Sequence, residues 1–314
     1  MTAADLGLAA AGHGTTTRGT VAHRPTGAAV RRMTLAVPNK GRLVEPTLAL
    51  LHDAGLIFEE RDRSLVSRVE NVALDILFVR TNDVIEFVGD GVADLGITGG
   101  DLLAEADTDL PIVRSLGYGR CRLVAAVPRD APQREIAQLA GLRVATAHPG
   151  ATRRWFEARG IPVTVIPLSG AVEVAPRLGL ADAIVDLVSS GVTLGTNGLR
   201  PIGDLLASEA VMVGNPARLV DEVDAIDRLD TMLGAVLAGR RRKYVMMNAP
   251  VDHLADLAAL LPGLESPSVI PLAHAGMIAI HAVVGSDDVW DLLPRLKAAG
   301  ASGILVLPIE KLIA

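Results

Sequence analysis

Residues 182–198 hold the densest chemistry in the chain: Asp182, Asp186, then Ser189, Ser190, Gly191, Val192 and Thr193, followed by Asn197 and Gly198. A strand with a side-chain period of two puts Asp182 and Asp186 on one face, after which the chain turns through small hydroxyl residues. Successive backbone N–H groups in such a turn, joined by the hydroxyls of Ser189, Ser190 and Thr193, can surround a phosphate. A helix N-terminus that follows adds a favourable dipole. The pattern suits a phosphorylated sugar, with the carboxylates meeting ribose hydroxyls or a Mg²⁺ ion. Taken alone, a Ser-Gly-Thr turn after a strand is also a common connector.

Two further turns have the same strand-to-helix placement. Lys40 and Arg42 follow the first apolar run and open the first helical stretch, where an α/β sheet binds ligands at the carboxyl ends of its strands. They could hold a triphosphate or pyrophosphate, or be solvated charges at a helix start. The turn 96–101, with Thr98 and Asp101, contains glycines that permit close backbone approach to a ligand, and equally suits a tight turn with Asp101 near the helix start. Arg80, just past an apolar run at 76–79, is another candidate cation. His148, His274 and His281 lack metal-ligand spacing and read as structural or surface residues. Cys121 has no adjacent histidine and reads as a packed thiol despite flanking Arg120 and Arg122. Arg240, Arg241, Arg242 and Lys243 read as a solvated interdomain linker, or as a contact for an anionic ligand or neighbouring subunit.

These residues need a frame. From Met33 onward, short apolar runs at 34–37, 76–79 and 95–97 alternate with amphipathic stretches, and the alternation resumes at 123–127, 142–146, 163–166 and 183–188. That is an α/β pattern with largely parallel sheets in two lobes. The segments 91–97 (Gly-Val-Ala-Asp-Leu-Gly-Ile) and 179–185 (Gly-Leu-Ala-Asp-Ala-Ile-Val) resemble each other, as corresponding turns facing across a cleft would. Beyond residue 243 the order becomes strand 244–248, helix 251–261, strands 268–272 and 277–284, helix 288–299 and strand 303–309, the βαββαβ of a ferredoxin-like unit. Val251, Leu254, Ala258 and Leu261 share one helix face, as do Val289, Leu292, Leu293 and Leu296, so each helix buries one side on the sheet. No catalytic cluster falls there, which suggests a regulatory or assembly domain.

Composition narrows the classes. At 314 residues and 50% hydrophobic, the chain is long enough for two or three domains. A formal net charge of -6 argues against a dedicated nucleic-acid binder. One cysteine excludes a disulfide framework and fits a reducing cytoplasm. The mean hydropathy of +0.37 comes from dispersed Ala, Val and Leu. The most apolar run, 269–285, is interrupted by Pro271, His274 and His281, so no membrane helix is expected. Residues 1–32 carry a single acid, Asp5, against Arg18, Arg24, Arg31 and Arg32, and read as a disordered extension or an upstream start with Met33 opening the folded part. Scarce acid with scattered Arg faintly fits a transit peptide, whereas a secretory signal would need a longer apolar core.

The motifs at 39–43 (Asn-Lys-Gly-Arg-Leu), 91–97, 119–123 (Gly-Arg-Cys-Arg-Leu), 171–177 (Ala-Val-Glu-Val-Ala-Pro-Arg), 179–194, 243–250 and 300–311 jointly resemble the long-form ATP phosphoribosyltransferases that open histidine biosynthesis. The resemblance runs from about 34 to 313. It implies a bilobal core like the type II periplasmic binding proteins, with lobe I over 33–122 and again at about 207–240, and lobe II over 123–206. It also implies an ACT-like regulatory domain over 241–314 that binds histidine as feedback inhibitor, and a homo-oligomer between dimer and hexamer. The loop Ser189, Ser190, Gly191, Val192 and Thr193 would take the 5′-phosphate of phosphoribosyl pyrophosphate, with Asp182 and Asp186 along the ribose, directly or through Mg²⁺. Lys40, Arg42, Arg80, Thr98 and Asp101 would border ATP or pyrophosphate, and Glu173 would reach the ribose or nucleotide. Relatives often carry Tyr where His148 stands.

The implied reaction joins adenine N1 of ATP to C1 of the ribose with inversion as Mg-bound pyrophosphate leaves. Positive charge then builds on the ring while negative charge grows on the leaving group. Asp182 or Asp186 would favour the first, and Mg²⁺, Lys40 and Arg42 the second. Adenine N1 is already nucleophilic, so orientation matters more than a general base, and none is assigned. The competing expectation is a bilobal small-molecule-binding module without catalysis.

Overall fold

The apolar run after Met33 becomes β1 (Met33–Pro38), buried on both faces as an interior strand of a parallel sheet must be. The structure is a computed structural model and describes residues 31–59, 64–189, 192–261 and 266–313. Following β1 come α1 (Val44–Asp53), β2 (Val66–Arg68), β3 (Leu74–Val79), α2 (Asp83–Gly89), β4 (Leu95–Gly99), α3 (Gly100–Ala106) and β5 (Ile112–Ser115). The chain then builds β6 (Cys121–Pro128), β7 (Arg143–Thr146), α4 (Pro149–Glu157), β8 (Thr164–Pro167), β9 (Ala183–Val188), α5 (Val192–Thr196) and β10 (Leu199–Ser208). It returns through β11 (Ala210–Gly214), α6 (Pro216–Asp221) and α7 (Val223–Arg240).

Among the described residues the strands form three sheets. The first has the order β2-β3-β1-β4-β11-β5 and the second β10-β6-β9-β7-β8. In the first, β1 runs parallel to β3 and β4; in the second, β7 runs parallel to β8 and β9. Both sheets are mixed rather than largely parallel, because the strands flanking the passages between them run the other way: β11 is antiparallel to β4 and β5, and β6 to β9 and β10. The two passages lie side by side, since the Leu116 N–H donates to the Ala210 carbonyl and the Ala210 N–H to that of Tyr118, both at 2.9 Å. Only Glu209 separates β10 from β11. The lobes are thus joined by a short two-stranded hinge.

Packing follows the periodicity. Ile226, Leu229, Leu233 and Val236 line one side of α7 and, with Leu50 and Leu51 of α1, cover one face of the first sheet. On the opposite face Val84 and Val88 of α2 meet Ala36, Val211 and Val213. Asn215 starts α6 by accepting the N–H groups of Ala217 and Arg218, a cap that contributes roughly 1 kcal/mol.

The last part gives β12 (Arg242–Pro250), α8 (Leu254–Leu260), β13 (Ser268–Pro271), β14 (Met277–Gly285), α9 (Val289–Ala298) and β15 (Ser302–Pro308). Its sheet order β13-β14-β12-β15, antiparallel throughout, is the ferredoxin-like arrangement expected from the element order. Val245, Met247, Leu257, Ile280, Leu292 and Leu296 are its core. The fold class is therefore α/β, a bilobal core followed by a βαββαβ unit. The extension read as disordered lies outside the described residues up to position 30, but order begins before Met33: Arg32 pairs with Asp75 at 2.8 Å and donates to the carbonyls of Val69 and Leu74. No described helix is long and apolar enough to cross a membrane.

Candidate functional site

Six strands from the two lobes point their carboxyl ends into one cavity of about 570 Å³. The first lobe lines it with Gly41, Arg42 and Leu43 after β1, Thr81 and Asn82 after β3, and Gly99 and Asp101 after β4. The second lobe lines it with Ala147 and His148 after β7, Ser169 after β8, and Leu187 near the end of β9. Ligands bind α/β sheets at this end because helix N-termini and loop amides collect there.

The first-lobe wall is tied together through its loops. Gly41, at φ +91°, lets the loop after β1 turn in a conformation that side chains disfavour. Arg42 donates to the Gly119 carbonyl and, at 3.1 Å, to the Cys121 thiol, and stands 3.6 Å from Asp101. Asp101 is 3% exposed, receives the Ser208 hydroxyl at 2.6 Å, and its own N–H donates back to that hydroxyl at 2.8 Å. Burial pushes the Asp101 carboxyl up, yet His148, Ser208, Arg42 and the Asp101 N–H together outweigh burial and hold it below the ordinary carboxylate range.

Across the cleft, His148 Nε2 stands 3.7 Å from Asp101 Oδ2. Its Nδ1 is buried without a hydrogen-bond partner among the described residues, as is Asn39 Oδ1 after β1. Asp186 is half-buried on β9; burial raises its carboxyl above the usual range, the Leu187 N–H at 2.8 Å and His148 lower it, and nearby Glu173 raises it further. Asp101, His148, Asp186 and Glu173 thus form one electrostatically coupled group.

The sequence candidates separate accordingly. Arg42 and Asp101 line the cavity; Asp186 couples to His148 on its far wall, and Glu173 couples to Asp186. Lys40 and Arg80 are exposed at the ends of β1 and β3, with no carboxylate partner among the described residues. Thr98 is fully buried and its hydroxyl serves the Thr81 carbonyl at 3.1 Å, so it holds the neighbouring loop rather than a ligand. Asp182 requires a larger correction. It precedes β9 at the amino end, where Arg143 grips it through a 2.8 Å ion pair and a 2.9 Å backbone bond. Four residue steps along the strand separate it from Asp186 by about 13 Å. Period two could not tell which end of the strand meets the cleft.

That separation is too long for Asp182 and Asp186 to share one Mg²⁺ ion, and no described group of three or more His, Cys, Asp or Glu is arranged to hold a metal. Ser189 is exposed beyond β9, beside a second cavity of about 490 Å³ with Arg120, Cys121 and Arg122. Thr193 is exposed on α5 and its carbonyl receives Asn197. Ser190 and Gly191 lie outside the described residues, and Val192 is described only as backbone of α5.

Sequence reasoning missed Ser208 and assigned His148 no role of its own. His148 was weighed for metal spacing and noted as a departure from the Tyr often carried by relatives, although its position between a strand end and Pro149 at a helix start is the signal that singled out Arg42 and Asp101. His281 conforms to the structural reading, bonding Tyr244 at 2.8 Å, and Cys121 is buried as expected while also accepting Arg42.

Comparison with known proteins is consistent along the chain. The family model described as ATP phosphoribosyltransferase matches residues 80–235, and that described as HisG, C-terminal domain matches 239–311. An ATP phosphoribosyltransferase of Bacteroides fragilis is 41% identical over 279 residues, covering 89% of this chain and 99% of that protein. One from Gemmatimonas aurantiaca is 44% identical over 289 residues with the same coverage, 89% and 99%. Among solved structures, the ATP phosphoribosyl transferase (HisG:HisZ) complex from Thermotoga maritima matches with a TM-score of 0.55 and 34% identity, over 64% of this chain and 96% of that one.

Proposed function

The chain belongs to the ATP phosphoribosyltransferase family, and from that premise we propose that it condenses ATP with 5-phosphoribosyl 1-pyrophosphate to give N1-(5-phosphoribosyl)-ATP and pyrophosphate. Membership makes it a transferase of histidine biosynthesis and sets aside the non-catalytic binding module. The observation that carries the residue assignment is the convergence of six strand ends from two lobes on one cavity.

In this reading the loop 189–193 takes the 5′-phosphate. Asp186, with Glu173 beside it, faces the ribose, where a carboxylate favours the cationic ring that forms as the C1–O bond breaks. The electrons of that bond leave with pyrophosphate, and the N1 lone pair forms the new bond from the opposite face. Lys40, Arg42 and Arg80 are the cations positioned for the phosphates of ATP and the departing pyrophosphate. Asp101 does not face a developing cation; with Ser208 it keeps Arg42 at the rim. Orientation of N1 supplies most of the acceleration, so no base is required. Mg²⁺ carried on the substrate phosphates would supply further neutralisation of charge on the leaving group, beside Lys40, Arg42 and Arg80.

The same proposal divides the chain into catalytic lobes over 33–122 with 207–240 and 123–206, and an ACT-like domain over 241–314 that binds histidine as a feedback inhibitor. The working form is a homo-oligomer between dimer and hexamer, in the cytoplasm. Mass-spectrometric detection of phosphoribosyl-ATP from ATP, phosphoribosyl pyrophosphate and Mg²⁺, with and without histidine, tests it. Product that falls with histidine is the expected result. Product indifferent to histidine removes the regulator, and no product from folded protein overturns the reaction.

A further inference from the structure

We propose that Glu105 is a positioning residue for the transfer, acting through a reciprocal clasp with the start of α4 that sets the separation of the two cavity walls; this rests on the reaction proposed above. Glu105 lies in the last turn of α3, and its carboxylate receives the Gly150 N–H at 2.9 Å and the Ala151 N–H at 2.8 Å. The first N–H groups of a helix have no partner within it, and a carboxylate is their strongest cap. The cap of α4 therefore comes from the other lobe, 45 residues away, while His148 at its N-cap position offers no side-chain bond. The exchange runs both ways. Arg154 of α4 donates to the carbonyls of Ala104 and Glu105 at the end of α3 and pairs with Asp107 at 3.3 Å.

Position 150 has to be glycine for this contact, because a Cβ there would lie 2.7 Å from the Glu105 carbonyl oxygen. Asp101 and Glu105 are one turn apart on α3 and both line the cavity. One faces His148 and the other grips the two residues beyond Pro149. Any opening at this point strips caps from both helices at once, so the clasp couples local helix stability to the distance between Asp101 and His148. Placement errors of about 1 Å cost roughly 100-fold in rate when reacting groups are held on separate bodies.

The test compares wild type with Glu105→Gln, in the full chain, by steady-state kinetics with both substrates and by calorimetry with phosphoribosyl pyrophosphate alone. Gln keeps the shape but offers one acceptor for two N–H groups. The expected result is a fall in kcat of roughly 10- to 100-fold, with KM values and phosphoribosyl pyrophosphate affinity within about threefold. Glu105→Asp, which keeps the charge but is a methylene short, should fall between. A folded Glu105→Gln protein with undiminished kcat, or one that loses substrate affinity as much as kcat, overturns the proposal. Spin labels at Glu86→Cys on the first lobe and Glu157→Cys on the second provide a readout that needs no activity. Glu105→Gln should broaden the interlobe distance distribution, and an unchanged distribution overturns the clasp even if the wild type makes no phosphoribosyl-ATP. That last outcome would by itself sink only the reaction.

Discussion

The two ends of the α/β sheets treat charge in opposite ways. At the amino ends, arginines and aspartates are matched: Arg32 with Asp75 beside β1 and β3, Arg218 with Asp94 before β4, and Arg143 with Asp182 beside β7 and β9. At the carboxyl ends the matching is incomplete: Arg42 stands 3.6 Å from Asp101, but other groups are left over. Among the described residues Lys40 and Arg80 lack carboxylate partners and His148 Nδ1 and Asn39 Oδ1 are buried without partners, while Asp186 sits beside Glu173. Saturated polar groups stabilise a fold, whereas groups left unsatisfied in a cleft cost stability unless a ligand completes them. The same residue types therefore carry different work depending on which end of a strand they occupy.

The largest effect that would sharpen this contrast is expected at Asp186. Asp186→Asn should lower kcat/KM by about 100-fold. Because the Asp186 carboxyl is raised, by burial first and then by Glu173, the acid limb of kcat/KM against pH should lie above the ordinary carboxylate range and disappear in the variant. An acid limb that persists unchanged would remove Asp186 from the reaction. Next comes Arg42→Lys, which keeps the charge but cannot bridge the Gly119 carbonyl, the Cys121 thiol and Asp101 together. A loss of about tenfold, chiefly in KM for ATP, is expected from initial-rate kinetics; wild-type behaviour would show that the guanidinium geometry is unimportant.

The smallest effect belongs to the amino end. Asp182→Asn should leave kcat/KM within about twofold, since its partner is Arg143 at a partly exposed pair. Its carboxyl is held low by Arg143's side chain and backbone N–H. The pair therefore adds stability above the ordinary carboxylate range that is lost as pH falls through the lowered value. Thermal melts should show the variant slightly less stable at neutral pH, with the difference closing in acid. A large activity loss with an intact melt would break the comparison and return Asp182 to the site.

Legibility in the sequence tracked the range of the interaction. The C-terminal βαββαβ unit was readable nearly element by element, because its helix faces and strand alternation are local patterns. Strands β10 and β11 were not anticipated: register shifts between Pro201 and Gly203 and between Asp204 and Leu206 break the alternation of β10 against β6. Among site residues, Arg42 and Asp101 were found through their place after strands, whereas Ser208 meets Asp101 from 107 residues away and gave no local sign.

The sequence by itself determined the fold class and the family, since hydrophobic period and motif spacing depend on neighbours along the chain. Tertiary structure alone decided that Asp186 and not Asp182 approaches the cavity, that His148 is buried against Asp101, and that Glu105 caps a helix of the other lobe. Those outcomes arise from desolvation and hydrogen bonding between segments that meet only when the two lobes close on each other, and no local pattern encodes that meeting.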